Sequence, residues 1–282
     1  MFSPPIGSPA AFASACRDEA SLNVIIPMGG AFSEAFRTAG YSAPKPMIKI
    51  AGRPMLLHLL DQLKLRLGDV VWLIIPSDVY LQFQSQLDFK SEYPQADIRV
   101  CQFTVQTRGA AETIFIGLQQ MSTSELSRRT LCLDCDTLYF SDVLSMLRAA
   151  PDGKGMCAYF IDTGTAALYS YLRLDESDGA VMEVREKDAI SDLANIGAYG
   201  FASATLLRQF IQVFMQQQAS STATAAQHST AQPQPHHNAS LSLSLSHAPF
   251  LPSSLFLFLH SRCSTPPRAA ATISTSPTSS TE

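Results

Sequence analysis

Residues 22–30 read LNVIIPMGG, from Leu22 to Gly30, a run that is apolar apart from Asn23 and stops at two glycines. A strand whose polar residues do not alternate must be covered on both faces, as in a parallel sheet packed between helices. Working outward, Pro54 to Leu67 carries leucines and Met55 at helical spacing, with Pro54 near its start and Gly68 just past its end. Val70 to Ile75 (VVWLII) predicts a second buried strand and Asp78 to Phe89 a helix; Ile98 to Phe103 predicts a third strand and Ala110 to Met121 a helix. Thr130 to Leu133 is a fourth strand running into acidic residues. This alternation implies an α/β fold with a doubly wound, mainly parallel sheet, which binds ligands beyond the carboxyl ends of its strands. After Gly155 the pattern changes: Met156 to Ile161, Tyr169 to Leu174, Val181 to Arg185 and Ala198 to Phe201 read as strands with few helices between them, a mixed or antiparallel extension.

The chain has 282 residues, 46% of them hydrophobic, and a formal net charge of -4. Nucleic-acid binders usually present a concentrated basic face, so a nucleic-acid partner is not expected. The apolar segment Ala248 to Leu259 is interrupted by Pro252 and falls short of the roughly 20 residues that span a bilayer. Met1 to Cys16 lacks the positive start of a secretory signal. Six cysteines without paired zinc spacing read as reduced structural thiols, and the expected compartment is the cytoplasm. Composition divides the chain into a flexible N-terminus over 1–20, a folded domain over 21–217 and a low-complexity tail over 218–282 that is expected to be disordered.

Four clusters bear chemistry. Met28-Gly29-Gly30 follows the first strand, and Pro44-Lys45-Pro46 follows closely. Glycines let backbone N–H groups approach a phosphate, and a lysine held between prolines is a restrained point charge. Alone, the glycine pair would read as an ordinary turn. Gln106-Thr107-Arg108-Gly109-Ala110 lies between the third strand and a helix, where an amide can read a base edge or Gly109 can simply start the helix. Asp134-Cys135-Asp136 closes the fourth strand; two carboxylates at that position suit Mg²⁺ or form a plain acidic loop. Glu186-Lys187 and Asn195-Ile196-Gly197 lie in the second half, where an exposed ion pair and a bulge are the simpler readings.

Together, Ile26-Pro27-Met28-Gly29-Gly30, Pro44-Lys45-Pro46-Met47-Ile48 and Gly52-Arg53-Pro54-Met55-Leu56 resemble the opening of the sugar-1-phosphate nucleotidyltransferases, the nucleotide-sugar pyrophosphorylases. The resemblance spans residues 22 to 217 and implies a Rossmann-like fold related to that of the GT-A glycosyltransferases. It also implies transfer of a nucleotide from a nucleoside triphosphate to a sugar 1-phosphate or similar phosphorylated metabolite. By that resemblance Lys45, Asp136 and Lys187 are catalytic, with Asp136 holding Mg²⁺ and Asp134 supporting it. Met28, Gly29, Gly30, Gln106, Gly109 and Ala110 contact the nucleotide, while Glu186, Lys187, Asn195 and Gly197 shape the acceptor pocket.

The chain departs from the pattern at the glycine loop, where the family's third glycine and arginine are replaced by Phe32 and Glu34; Arg37 is the residue expected to compensate. It also lacks an aspartate beyond Asp192, so the family's final acidic strand is expected to be missing and the domain truncated. Two rival readings follow. One is a nucleotide-binding regulatory module without turnover, and the other is a glycosyltransferase that holds its donor through Asp134 and Asp136.

Overall fold

The computed structural model describes residues 21–30 and 34–228. The readings of residues 1–20, of Phe32 and of the tail past His228 fall outside the described residues. Asn23–Pro27 (β1) is followed by a short helix Glu34–Thr38 (α1), a small hairpin of Lys49–Ile50 (β2) and Arg53–Pro54 (β3), and helix Met55–Gln62 (α2). Next come Val70–Pro76 (β4), Ser77–Phe83 (α3), Phe89–Glu92 (α4), Asp97–Phe103 (β5), Ala110–Leu118 (α5), Thr123–Ser127 (α6), Thr130–Leu133 (β6) and Val143–Ala149 (α7). Met156–Ile161 (β7), Ser170–Leu174 (β8), Val181–Glu186 (β9) and Leu193–Phe201 (β10) make the second half, and Ala204–His228 (α8) is the last described helix.

The main sheet has eight strands in the order β5-β4-β1-β6-β10-β8-β9, with β7 also paired to β10. β5, β4, β1 and β6 run parallel, as the apolar runs require. β10 then enters antiparallel to β6 and turns the sheet mixed. Gly200 pairs with both Leu131 and Met156, and Ala194 with both Phe160 and Tyr171. β7 therefore lies along one edge of β10, while β6 and β8 share the other.

Alternation along the strands divides the interior into two layers. Val24, Ile26, Leu73 and Leu133 pack on Leu56, Leu59, Leu60 and Leu147 from α2 and α7. Ile25, Trp72, Ile74 and Cys132 pack on Ile114, Leu118, Leu207 and Ile211 from α5 and α8. A smaller cluster of Leu172, Val181 and Val184 supports β8 and β9.

The expected strands are present, but β10 begins at Leu193 instead of Ala198, and the hairpin of β2 and β3 is not among them. α5 ends at Leu118 instead of Met121, and three other helices differ more. α2 stops at Gln62 instead of reaching Leu67, because Leu63 turns extended at φ -75° and ψ 119°. The released segment brings Arg66 N–H to the Asp69 carboxylate at 2.7 Å, a half-buried contact that a longer helix would forfeit. The single helix expected over 78–89 is broken, and Asp88 caps the separate α4 by accepting from Ser91 N–H at 3.2 Å. α8 runs past residue 217 to His228, through QASSTATAAQH, whose four alanines favour a helix while its four serines and threonines are less favourable. No helix among the described residues is long and apolar enough to cross a membrane.

Candidate active site

The parallel strands end together, so the segments that follow them share one edge of the sheet. Met28 to Gly30 leave β1, Gln106 to Ala110 join β5 to α5, and Asp134 to Asp136 leave β6. Because β10 runs the other way, its middle, Asn195 to Gly197, passes the same edge.

Lys45 opens a 3₁₀ turn, Lys45–Met47, in which Pro46 and Met47 are buried. With its neighbours anchored in the core, the lysine is left facing the site. Its Nζ lies 2.9 Å from Asp136 Oδ2, and the two side chains are 27% and 28% exposed. Burial works against the lysine's charge, but the carboxylate of Asp136, aided by Asp134, outweighs it and raises the Lys45 pKa. Phe36 of α1 faces the same ammonium, with 5.9 Å from Nζ to the ring centre.

Asp134 opens to solvent on one side and is walled by protein on the others. That crowding, then the neighbouring charge of Asp136, pushes its pKa up to about 7, with Lys45 pulling the other way. Its main chain is held firmly: Asp134 N–H donates to the Gly197 carbonyl at 2.9 Å and to the Tyr139 hydroxyl at 3.2 Å. Tyr139 in turn donates to the Gly197 carbonyl at 2.8 Å. Gly197 sits in a bulge of β10 at φ +75°, and a Cβ there would lie 2.2 Å from Asp134 Oδ2. Only glycine allows both the left-handed backbone and this contact. The bulge is pinned by Asn195, whose Oδ1 accepts from Gly197 N–H at 2.6 Å while Nδ2 donates to the Ala158 carbonyl at 3.1 Å.

A raised carboxyl pKa has a consequence for stability. An aspartate in the unfolded chain loses its proton near 3.8, whereas folded Asp134 keeps its proton to about 7. The folded state therefore binds more protons across that window, and this group's contribution to stability falls as pH rises through it. Asp134→Asn is expected to raise the melting temperature of chelator-treated protein at pH 8 and to leave it nearly unchanged at pH 4. Equal shifts at both pH values would contradict this origin. Because Asp134 touches solvent, the gain is smaller than for a sealed carboxyl.

Glu186 ends β9 directly opposite Ser170 of β8, and Ser170 Oγ donates to Glu186 Oε2. Tyr171, next to Ser170, pairs with Ala194 of β10, so Glu186 stands across β8 from the strand that holds Asp134. Lys187 follows at φ +53°, exposed, with its N–H bound to the Tyr169 carbonyl at 2.8 Å.

The structure thus brings Lys45, Asp134, Asp136, Gly197 and Glu186 into one region. Other expected contacts are placed differently. The Met28 side chain is fully buried in the core, leaving only its main chain to face a ligand. Gly29 makes room within the protein: a Cβ would lie 2.1 Å from Thr113 Oγ1 and 2.6 Å from Thr107 Oγ1. Those two hydroxyls are bonded to each other at 2.8 Å, tying the loop after β5 to α5. A Cβ on Gly30 would meet open space, and Arg37 is exposed on α1. Gln106 and Ala110 are exposed and Gly109 is half-buried at the start of α5. Gly197 gives its space to Asp134, and the Asn195 amide is committed to the bulge. Arg53, from the Gly52-Arg53-Pro54 segment, binds Asp61 at 3.0 Å and Glu92 at 2.6 Å, fastening β3 to α2 and α4. Tyr139 and Ser170 escaped the sequence reading, since a tyrosine and a serine outside any motif give no signal until their partners are known.

Among the described residues, no three His, Cys, Asp or Glu side chains form a metal-binding group. Asp134 and Asp136 remain as two hard-oxygen donors, the number Mg²⁺ commonly takes from protein when substrate phosphates supply others. The elevated Asp134 pKa comes first from burial and then from the charge of Asp136, and a cation bound beside the two would favour their charged forms.

Residues 28–239 match the family model described as nucleotidyl transferase. Among solved structures, the chain is similar to a nucleoside-diphosphate-sugar pyrophosphorylase from Vibrio cholerae RC9, with 19% sequence identity, a TM-score of 0.53, and 70% of this chain and 78% of that chain covered. HddC from Yersinia pseudotuberculosis matches at 16% identity and a TM-score of 0.49, covering 67% of this chain and 79% of its own. An apo UDP-glucose pyrophosphorylase matches at 14% identity and a TM-score of 0.48, covering 68% and 80%. No curated protein matches the chain in sequence. At 19% identity the first likeness establishes the Rossmann-like fold.

Proposed function

We propose, from the premise that the chain belongs to the nucleotidyl transferase family, that it joins a nucleoside triphosphate to a sugar 1-phosphate and releases pyrophosphate. A phosphate oxygen of the acceptor attacks the α-phosphorus, a new P–O bond forms, and the bond to the departing pyrophosphate breaks. The attacking oxygen is already anionic, so the reaction needs alignment and charge neutralisation more than a strong base. The observation that carries this reading is the meeting of Lys45 and Asp136 across 91 residues of sequence at 2.9 Å, which unites a cation for phosphates with a carboxylate for a metal.

Mg²⁺ held by Asp136, with Asp134 beside it, would supply charge neutralisation between the phosphates. Lys45 binds the triphosphate as a point charge, and the main chain of Met28 to Gly30 and the segment Gln106 to Ala110 receive the nucleotide. Lys187 meets the acceptor phosphate and Glu186 accepts from acceptor hydroxyls, while Asn195 and Gly197 act by holding Asp134 in place. The four described cysteines are free thiols, which suits a reducing compartment, and the cytoplasm is the proposed location.

The test is pyrophosphate release by the full chain with each common nucleoside triphosphate against glucose, galactose and mannose 1-phosphates, with and without magnesium. Release that requires magnesium is the expected result. Nucleotide binding with no release from any pair would replace this reading with that of a non-catalytic nucleotide-binding module. Consumption of a nucleotide sugar with glycosyl transfer would point to a glycosyltransferase.

A further inference from the structure

Glu186 comes from the second half of the sheet: it pairs with Ser170 of β8, and the adjacent Tyr171 pairs with Ala194 of β10, next to the bulge whose Gly197 carbonyl accepts from Asp134 N–H. A carboxylate on this side of the sheet is repelled by the charge of Asp134 and Asp136, and a free glutamate would rotate away from them. Here it is restrained. Ser170 and Glu186 are paired across β8 and β9, Ser170 is only 8% exposed, and its hydroxyl donates to Glu186 Oε2. The backbone on either side is fixed as well, because Lys187 N–H binds the Tyr169 carbonyl at 2.8 Å just where the chain turns at φ +53°.

We infer that Ser170 is a positioning residue that locks Glu186 by one oxygen and aims the other at a hydroxyl of the acceptor. The inference rests on the proposed transferase reaction and adds to it a residue that sets acceptor affinity without touching the acceptor. An acceptor without a hydroxyl gains nothing from the oxygen that Ser170 leaves free, so such acceptors are disfavoured. Ser170 touches no reacting atom and acts only through Glu186.

Steady-state kinetics of wild type, Ser170→Ala, Ser170→Thr, Glu186→Ala and the Ser170→Ala/Glu186→Ala double variant test it, with glucose 1-phosphate and phosphocholine as acceptors. A hydrogen bond to a charged group is worth enough that Ser170→Ala should raise the KM for glucose 1-phosphate about tenfold. The KM for the triphosphate should stay within about twofold, and Ser170→Thr should restore the acceptor KM. In the Glu186→Ala background, the Ser170→Ala change should have no further effect, because two residues acting through one contact are not additive. Wild type should prefer glucose 1-phosphate to phosphocholine. Active wild type with an unchanged acceptor KM in Ser170→Ala, an equal rise in both KM values, additive losses in the double variant, or a preference for phosphocholine would each overturn the inference and leave the transferase reading standing. Wild type inactive with every acceptor would overturn that reading and the inference together.

Discussion

Asp136→Asn is expected to lower pyrophosphate release by about 10²–10³-fold, the scale on which removal of one electrostatic stabiliser of a transition state acts. The fold should scarcely notice. Lys45 and Asp136 are both more than a quarter exposed, at 27% and 28%. A pair so open to water contributes about 0–1 kcal/mol, since a lysine freed from its partner is re-solvated. Thermal melts of the variant and wild type should therefore nearly coincide while their rates differ by orders of magnitude. Wild-type rates in the variant would remove Asp136 from the chemistry, and a large drop in melting temperature would make the pair a structural bond.

Asp69→Ala should do the opposite. Asp69 lies in the loop between α2 and β4 with no side-chain exposure, paired with Arg148 of α7, whose side chain is 11% exposed. The carboxylate also accepts from Leu22 N–H at 2.8 Å and Arg66 N–H at 2.7 Å, so it joins the segments before β1 and β4 to a helix 79 residues further on. Removing it strands a guanidinium whose Nε and Nη1 are enclosed by protein, and leaves two backbone donors unmet. The expected loss is about 3–5 kcal/mol, as for breaking any buried ion pair from one side. Urea unfolding measures it. Arg148→Ala should cost less, because Asp69 keeps its two backbone donors. The midpoint should fall without a change in slope, and enzyme still folded at low temperature should keep its KM values. A loss below about 1 kcal/mol would mean that Arg148 reaches solvent when its partner is gone.

The two substitutions differ because one carboxylate faces the mouth of the site and the other its foundation, although both follow or precede apolar strands and look alike in sequence. Asp136 could be singled out because it closes an apolar strand beside a second aspartate and matches a familiar motif. Asp69 is followed by the apolar run Val70 to Ile75 and matches nothing. Likewise, Gly29 and Gly197 both read as glycines kept for a substrate, yet one makes room for Thr113 and the other for Asp134. Asn195 reads as a pocket residue and is occupied in holding a bulge. Met28 reads as part of a phosphate loop, but its side chain fills the core.

From residue order alone, the parallel core and the edge at which its loops gather could be written down. Unbroken Val, Ile and Leu runs can only be buried on both faces, and glycine, proline and acidic residues mark where each run stops; both are short-range effects. The bulge around Gly197, the Ser170 to Glu186 bond and the Asp69 to Arg148 pair required the folded chain. Each depends on β10 running antiparallel to β6, on the β8 and β9 register, or on how α7 packs beneath the sheet. Such contacts join residues whose separation in sequence carries no periodic signal, and their strength comes from a shared low-dielectric surrounding that exists only once the strands and helices have assembled.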